Sequence, residues 1–95
     1  MHVLDALGNS VRRAILHELR AGPLSVGQIA ERLPVSRPAV SRHLRVLEDA
    51  GLVQAREKGT RNIYSIHMLG FAGVREFVDE FWDTALTRLE ELARR

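Results

Sequence analysis

Ninety-five residues, 45% hydrophobic and 27% charged, describe one soluble globular domain near the lower end of what folds alone. With no cysteine, disulfides, thiolate metal sites and cysteine redox chemistry are excluded. The net charge of +2 is small but unevenly placed: residues 32–70 carry Arg32, Arg37, Arg42, Arg45, Arg56, Lys58 and Arg61 against Glu48, Asp49 and Glu57, whereas residues 71–95 are net acidic.

No apolar stretch approaches the roughly 20 residues of a membrane span. The N-terminus has no basic segment leading into an apolar run, so the expected compartment is the cytoplasm. The chain is small for an enclosed catalytic pocket and has no phosphate loop, dinucleotide fingerprint or nucleophile–base motif. Ser41 and His43 are two apart and do not face each other on a helix, so no enzyme is expected.

In chain order, "VLDAL" at 3–7 predicts a short helix broken at Gly8. Asn9 or Ser10 can cap a helix running to about Arg20, with Val11, Ile15, Leu16 and Leu19 on one face. Ala21-Gly22-Pro23 ends it. Ser25 with Gln28 has the capping-box form and opens a helix expected to bury Val26, Ile29, Ala30 and Leu33. Pro34 disfavours helical backbone at Leu33 and stops it there.

Ser36 caps the next helix, with Pro38 in the first turn, where its missing N–H costs nothing. Val40, Leu44 and Leu47 form its apolar stripe, and Gly51 stands where a left-handed C-terminal cap belongs. Residues 25–50 therefore read as a helix-turn-helix. "LVQAR" and "NIYSI", with a glycine between them, read as a β-hairpin within 52–66, the position of a wing. From about Phe71 to Ala93, apolar residues at three- and four-residue steps predict one long helix holding all three phenylalanines and the only tryptophan. The expected fold is mostly α with a two-stranded β-hairpin: a single winged helix-turn-helix domain over 1–95.

The stretches "LDALGNSVRRAILHEL", "GPLSVGQIAERLPVSRPAVSRHLRVLEDAGLV" and "EKGTRNIYSI" resemble the ArsR family of small bacterial winged-helix repressors, over roughly two-thirds of the chain. Two departures stand out. Asn9-Ser10-Val11 replaces the family's frequent Asp-Pro-Thr, and Pro34 lies where the turn often has glycine. The resemblance implies a cytoplasmic transcription regulator that binds an inverted-repeat operator in double-stranded DNA as a homodimer.

In such a protein the second helix of the helix-turn-helix enters the major groove, its first turns meeting base edges. The candidate DNA-binding residues there are Ser36, Arg37, Pro38, Ser41, Arg42, His43 and Arg45. Arginine can bond O6 and N7 of guanine together, while serine serves several bases or phosphates. His43 borders the core stripe, as a packing or phosphate-contacting residue. Arg56, Lys58 and Arg61 surround Gly59 in the wing and would grip phosphates, adding affinity and salt dependence. The alternative reading is a winged domain used only for protein–protein interaction. Its recognition helix and wing would be expected to lose basic residues, and here they retain them.

The long helix is expected to pair with a second copy through Phe71, Val74, Phe77, Val78, Phe81, Trp82, Ala85 and Leu89, joined by Val3, Leu4 and Leu7. Each large aromatic can bury about 150–250 Å², more than so small a domain can absorb. Many relatives sense metals, but their thiolate ligands fall where this chain has Ser25-Val26-Gly27-Gln28. Others place aspartate and histidine on the last helix, which lacks histidine here. His2, His17, His43 and His67 are scattered. No metal or cofactor is expected, and the sequence names no effector.

Overall fold

The computed structural model describes residues 2–94. Five helices and a small sheet follow in the order α1 (Val3–Leu7), α2 (Ser10–Leu19), β1 (Leu24–Ser25), α3 (Val26–Arg32), α4 (Arg37–Asp49), β2 (Val53–Lys58), β3 (Arg61–Ile66), a 3₁₀ turn (Met68–Phe71) and α5 (Ala72–Ala93).

Local signals set most boundaries. The Asn9 side chain accepts from Arg12 N at the start of α2. Ser25 and Gln28 form both bonds of the capping box. Ser36 accepts from Ala39 N to open α4. Leu33, ahead of Pro34, is extended (φ −126°, ψ 148°) and ends α3. Gly51 has φ +79°, the left-handed conformation in which side chains are strained, and turns the chain out of α4 into β2.

Ile15, Leu16, Leu19, Leu24, Ile29, Val40, Leu44, Leu47, Leu52 and Val53 form one buried cluster, which Ala6 joins from α1. Of the residues expected to be buried on α3, only Ile29 is fully covered. Val26, Ala30 and Leu33 are half-buried, packed on the margin of the cluster. α1 is held against α2 by arginine: Arg12 Nε donates to the Ala6 carbonyl at 2.7 Å, and Arg13 donates to the Leu7 carbonyl at 2.7 Å. Two carbonyls at the end of a five-residue helix thus gain partners from the next helix.

The hairpin extends beyond its expected strands, pairing Val53 with Ile66 through to Lys58 with Arg61 around Gly59, whose φ is +64°. It is also joined by a third strand. β1 pairs Leu24 with Tyr64 and Ser25 with Ile63, giving the antiparallel order β1-β3-β2. The wing is thereby fastened to the start of α3.

α5 begins at Ala72, after the 3₁₀ turn, and none of its 22 residues is buried. It projects from the domain and stretches the molecule to 63 × 25 × 24 Å. Among the described residues, no helix is long and apolar enough to cross a membrane.

Candidate nucleic-acid interface

α4 packs into the domain through Val40, Leu44 and Leu47, all fully buried. At 100° per residue this leaves Pro38, Arg42, Arg45 and Asp49 on the opposite side with Ser41 on its flank, and all of them are exposed. Ser36 and Arg37 are exposed at its N-terminus. Among the described residues, the two ion pairs within 4.0 Å are Arg32–Glu18 and Arg75–Asp79, so Arg37, Arg42 and Arg45 are not neutralised by a neighbouring carboxylate. Glu48 and Asp49 are exposed at the far end of α4. Their charge repels phosphate, so the helix can meet DNA by its N-terminal half.

His43 occupies a different position from the arginines. It is half-buried, and burial, reinforced by the positive charges of Arg12 and Arg42, holds its imidazole below the usual histidine value. The ring lies at the border between the exposed arginine side of α4 and the helix packing.

Arg37 also departs from a simple outward projection. Its guanidinium lies over Gly27, so close that a Cβ there would stand 2.9 Å from a terminal nitrogen. Arg37, Arg61 and Asn62 share a cleft of about 300 Å³ with Ser25, Gly27, Gln28 and the carboxylate-bearing Glu31. The cleft joins the first turn of α4, the first turn of α3 and the start of β3, beside the tip of the wing. Sequence reasoning placed Arg37 and Arg61 on separate elements, and the β1–β3 pairing brings them together.

Arg56, Lys58 and Arg61 are all exposed on the hairpin, clear of the two ion pairs. Tyr64 links this hairpin to the recognition helix. Burial and the nearby Glu48 carboxylate raise its hydroxyl pKa, partly offset by Arg45.

The apolar residues expected at an interface fall into two groups. Phe77, Val78, Phe81, Trp82 and Leu89 are 45–63% exposed along α5, with Ala85 exposed between them. Phe77 and Phe81 pack as a tilted pair with centroids 4.9 Å apart. Leu4 is exposed at the other end of the chain. Val3, Leu7 and Phe71, in contrast, are half-buried and already pack against the domain's own core, and Val74 is half-buried at the base of α5. Among the described residues, no group of three or more His, Cys, Asp or Glu side chains could hold a metal ion.

Comparison with known proteins agrees with the fold. The family described as a helix-turn-helix domain matches residues 7–54. The HTH-type transcriptional regulator Rv2034 of Mycobacterium tuberculosis is 51% identical over 88 residues, covering 93% of this chain and 82% of its own. The crystal structure of a possible transcriptional regulator for arsenical resistance superposes with a TM-score of 0.82 at 36% identity, covering 96% of this chain and 95% of that one. The homodimeric winged helix-turn-helix DNA-binding domain of Mb0332 from Mycobacterium bovis, a possible ArsR-family regulator, superposes with a TM-score of 0.68 at 34% identity, covering 83% of this chain and 73% of that one.

Proposed function

The chain belongs to the ArsR family of winged helix-turn-helix DNA-binding transcriptional regulators, and we propose that it acts as a homodimeric repressor that occludes a promoter by occupying an inverted-repeat operator. The observation that carries this reading is the exposed face of α4, where Arg42, Arg45 and Ser41 stand free of carboxylate partners.

In this reading Arg42 and Arg45 enter the major groove with Ser41, and Ser36 and Pro38 fix the end of the helix that approaches the bases. Arg37 and Arg61 clamp one phosphate between the first turn of α4 and the wing. Arg56 and Lys58 extend that grip along the flank. His43 supports the helix from beneath and meets the backbone only at its edge.

Dimerisation completes the mechanism. The apolar side chains of α5 are too numerous to leave in water, and a two-fold pairing of α5 with its copy covers them. Such a pairing sets two α4 helices about one turn of B-DNA apart, so the operator mirrors the protein's symmetry. The homodimeric relative of similar fold supports this arrangement.

Fluorescence anisotropy against duplex from upstream of the chain's own gene, with scrambled duplex as control, tests the reading. Selective binding that Arg42→Ala weakens by about 1–3 kcal/mol, with unchanged circular dichroism, is the expected result. Unaltered affinity in that variant would remove α4 as the reading element. Equal binding to every duplex would favour the interaction-module alternative.

A further inference from the structure

A cleft of about 370 Å³ opens between the end of α1, α2, the end of β3 and the 3₁₀ turn. Leu7, Leu16, Ile66, Met68 and Phe71 line it with apolar surface. Arg13, His17 and Arg20 touch it almost wholly through carbon atoms, so the wall itself is apolar and their charged ends stand outside it, at the exposed rim. These three stand at steps of four and three residues along α2 and its C-cap Arg20, and so form one basic stripe along an apolar hollow. No carboxylate lines the cleft. All three basic residues are exposed, and neither arginine belongs to an ion pair among the described residues. Arg13 spends one N–H on the Leu7 carbonyl, which steadies it at the rim.

We propose that this cleft binds a small amphipathic carboxylate, with its hydrocarbon part against Leu16, Met68 and Phe71 and its acid group on the basic stripe, and that this ligand is an effector of DNA binding. The volume lies at the low end of the range for small-molecule sites, roughly 300–1,000 Å³, and suits a medium chain or a substituted ring rather than a long lipid. Charge decides the class. An apolar hollow with no charge beside it would take a neutral hydrocarbon or a partner side chain, whereas three basic side chains along its rim select an anionic head. Met68, 74% exposed, leaves an apolar thioether at the mouth, where an aliphatic chain can cover it.

The effector role follows from what the cleft touches. Met68 and Phe71 begin and end the 3₁₀ turn, which leads directly into α5. The same turn is fixed to the end of α4. His67 N donates to the Leu52 carbonyl at 2.9 Å, its Nδ1 lies 3.0 Å from the Gly51 carbonyl oxygen, and Gly70 packs against that carbonyl. A ligand that displaces Met68 and Phe71 therefore moves the origin of the dimer helix relative to the recognition helix. That changes the spacing of the two reading heads. This second half of the proposal rests on the DNA-binding reading given above; ligand binding itself does not.

The test is calorimetric titration of the intact protein with octanoate and decanoate, below their micelle concentrations. Decanol and decylamine serve as head-group controls. Saturable one-per-chain binding of the carboxylates, at least about tenfold tighter than either control, is expected. Arg20→Glu and Met68→Glu each place a carboxylate at an exposed position of the rim and should weaken it by a further tenfold or so, without changing the circular dichroism. No saturable binding, equal binding of alcohol and acid, or indifference to both substitutions would overturn the site. In a parallel arm, saturating decanoate should lower operator affinity at least about fivefold in the wild type and not in Arg20→Glu. Binding with unchanged operator affinity would overturn the effector role. Failure of the apoprotein to bind any duplex would count against the DNA reading and leave the calorimetric result intact.

Discussion

The Nδ1 of His67 lies 3.0 Å from the carbonyl oxygen of Gly51, so the chain leaving the wing is bonded to the residue that ends the recognition helix. The oxygen can only accept, so the imidazole carries its proton on Nδ1 and donates. Gly70 packs on the same carbonyl, where any Cβ would overlap it. The base of α5 and the end of α4 therefore meet through a hydrogen bond and a backbone contact that admits no side chain.

Gly70→Ala should accordingly cost roughly 3 kcal/mol, toward the upper end of the range for forcing a carbon into packed structure. Gly73→Ala is the control. Its added Cβ meets nothing within 4 Å, and helix propensity should make it stabilising by up to about 1 kcal/mol. Urea denaturation of both variants decides the point. Equal stability of the two would mean that the Gly51–Gly70 contact is not tight.

Recognition helix and wing should separate by salt dependence. Arg45→Ala is expected to lose about 1–3 kcal/mol at one operator position and to relax selectivity there. Lys58→Ala should weaken binding to all duplexes alike and reduce the slope of log K against log salt by about one. Anisotropy titrations at four salt concentrations distinguish the two patterns.

The tail interface is open to a charge test. Phe81 and Trp82 are 61% and 63% exposed, so Phe81→Glu should leave the monomer fold intact by circular dichroism. In a dimer it buries a carboxylate against apolar surface, and sedimentation equilibrium at micromolar concentration should find monomers. Operator affinity falls with it, because each recognition helix then binds alone.

His43 gives a pH dependence with a definite sign. Its pKa is lower in the folded protein than the ordinary value near 6.5, so the unfolded chain binds the proton more readily. The stabilisation associated with its neutral ring is fully present above about pH 6.5 and is lost as pH falls below that value toward the folded pKa. Thermal melts between about pH 5 and 8 should show this decline in the wild type and a shallower one in His43→Gln. Identical profiles would exclude His43 as the source.

The helix-turn-helix was legible because each of its boundaries rests on a local signal. Ser25 with Gln28, Pro34, Ser36, Pro38 and Gly51 each act on backbone within a few residues of themselves. The hairpin was legible for the same reason, with Gly59 supplying its left-handed residue. What the sequence concealed depends on contacts between distant residues. β1 is two residues long and shows no alternation; it exists because Tyr64 and Ile63 offer a free strand edge. Nothing local in the sequence showed that the guanidiniums of Arg12 and Arg13 bond the carbonyls of α1. No sequence pattern explained the glycine at position 70, whose need is set by the Gly51 carbonyl. The basic face of α4 was readable from helical phase alone. The approach of Arg37 to Gly27, and the cleft they share with Arg61, required the fold.

The most direct test of the central claim is selection from a random duplex pool by the purified protein, followed by sequencing of the enriched sites. An inverted repeat whose half-site centres lie about one helical turn apart, or a multiple of it, is the expected result. Its enrichment should vanish in Arg42→Ala. A single unrepeated motif would contradict the dimeric mode of reading, and no enrichment at all would contradict sequence-specific DNA recognition by this domain.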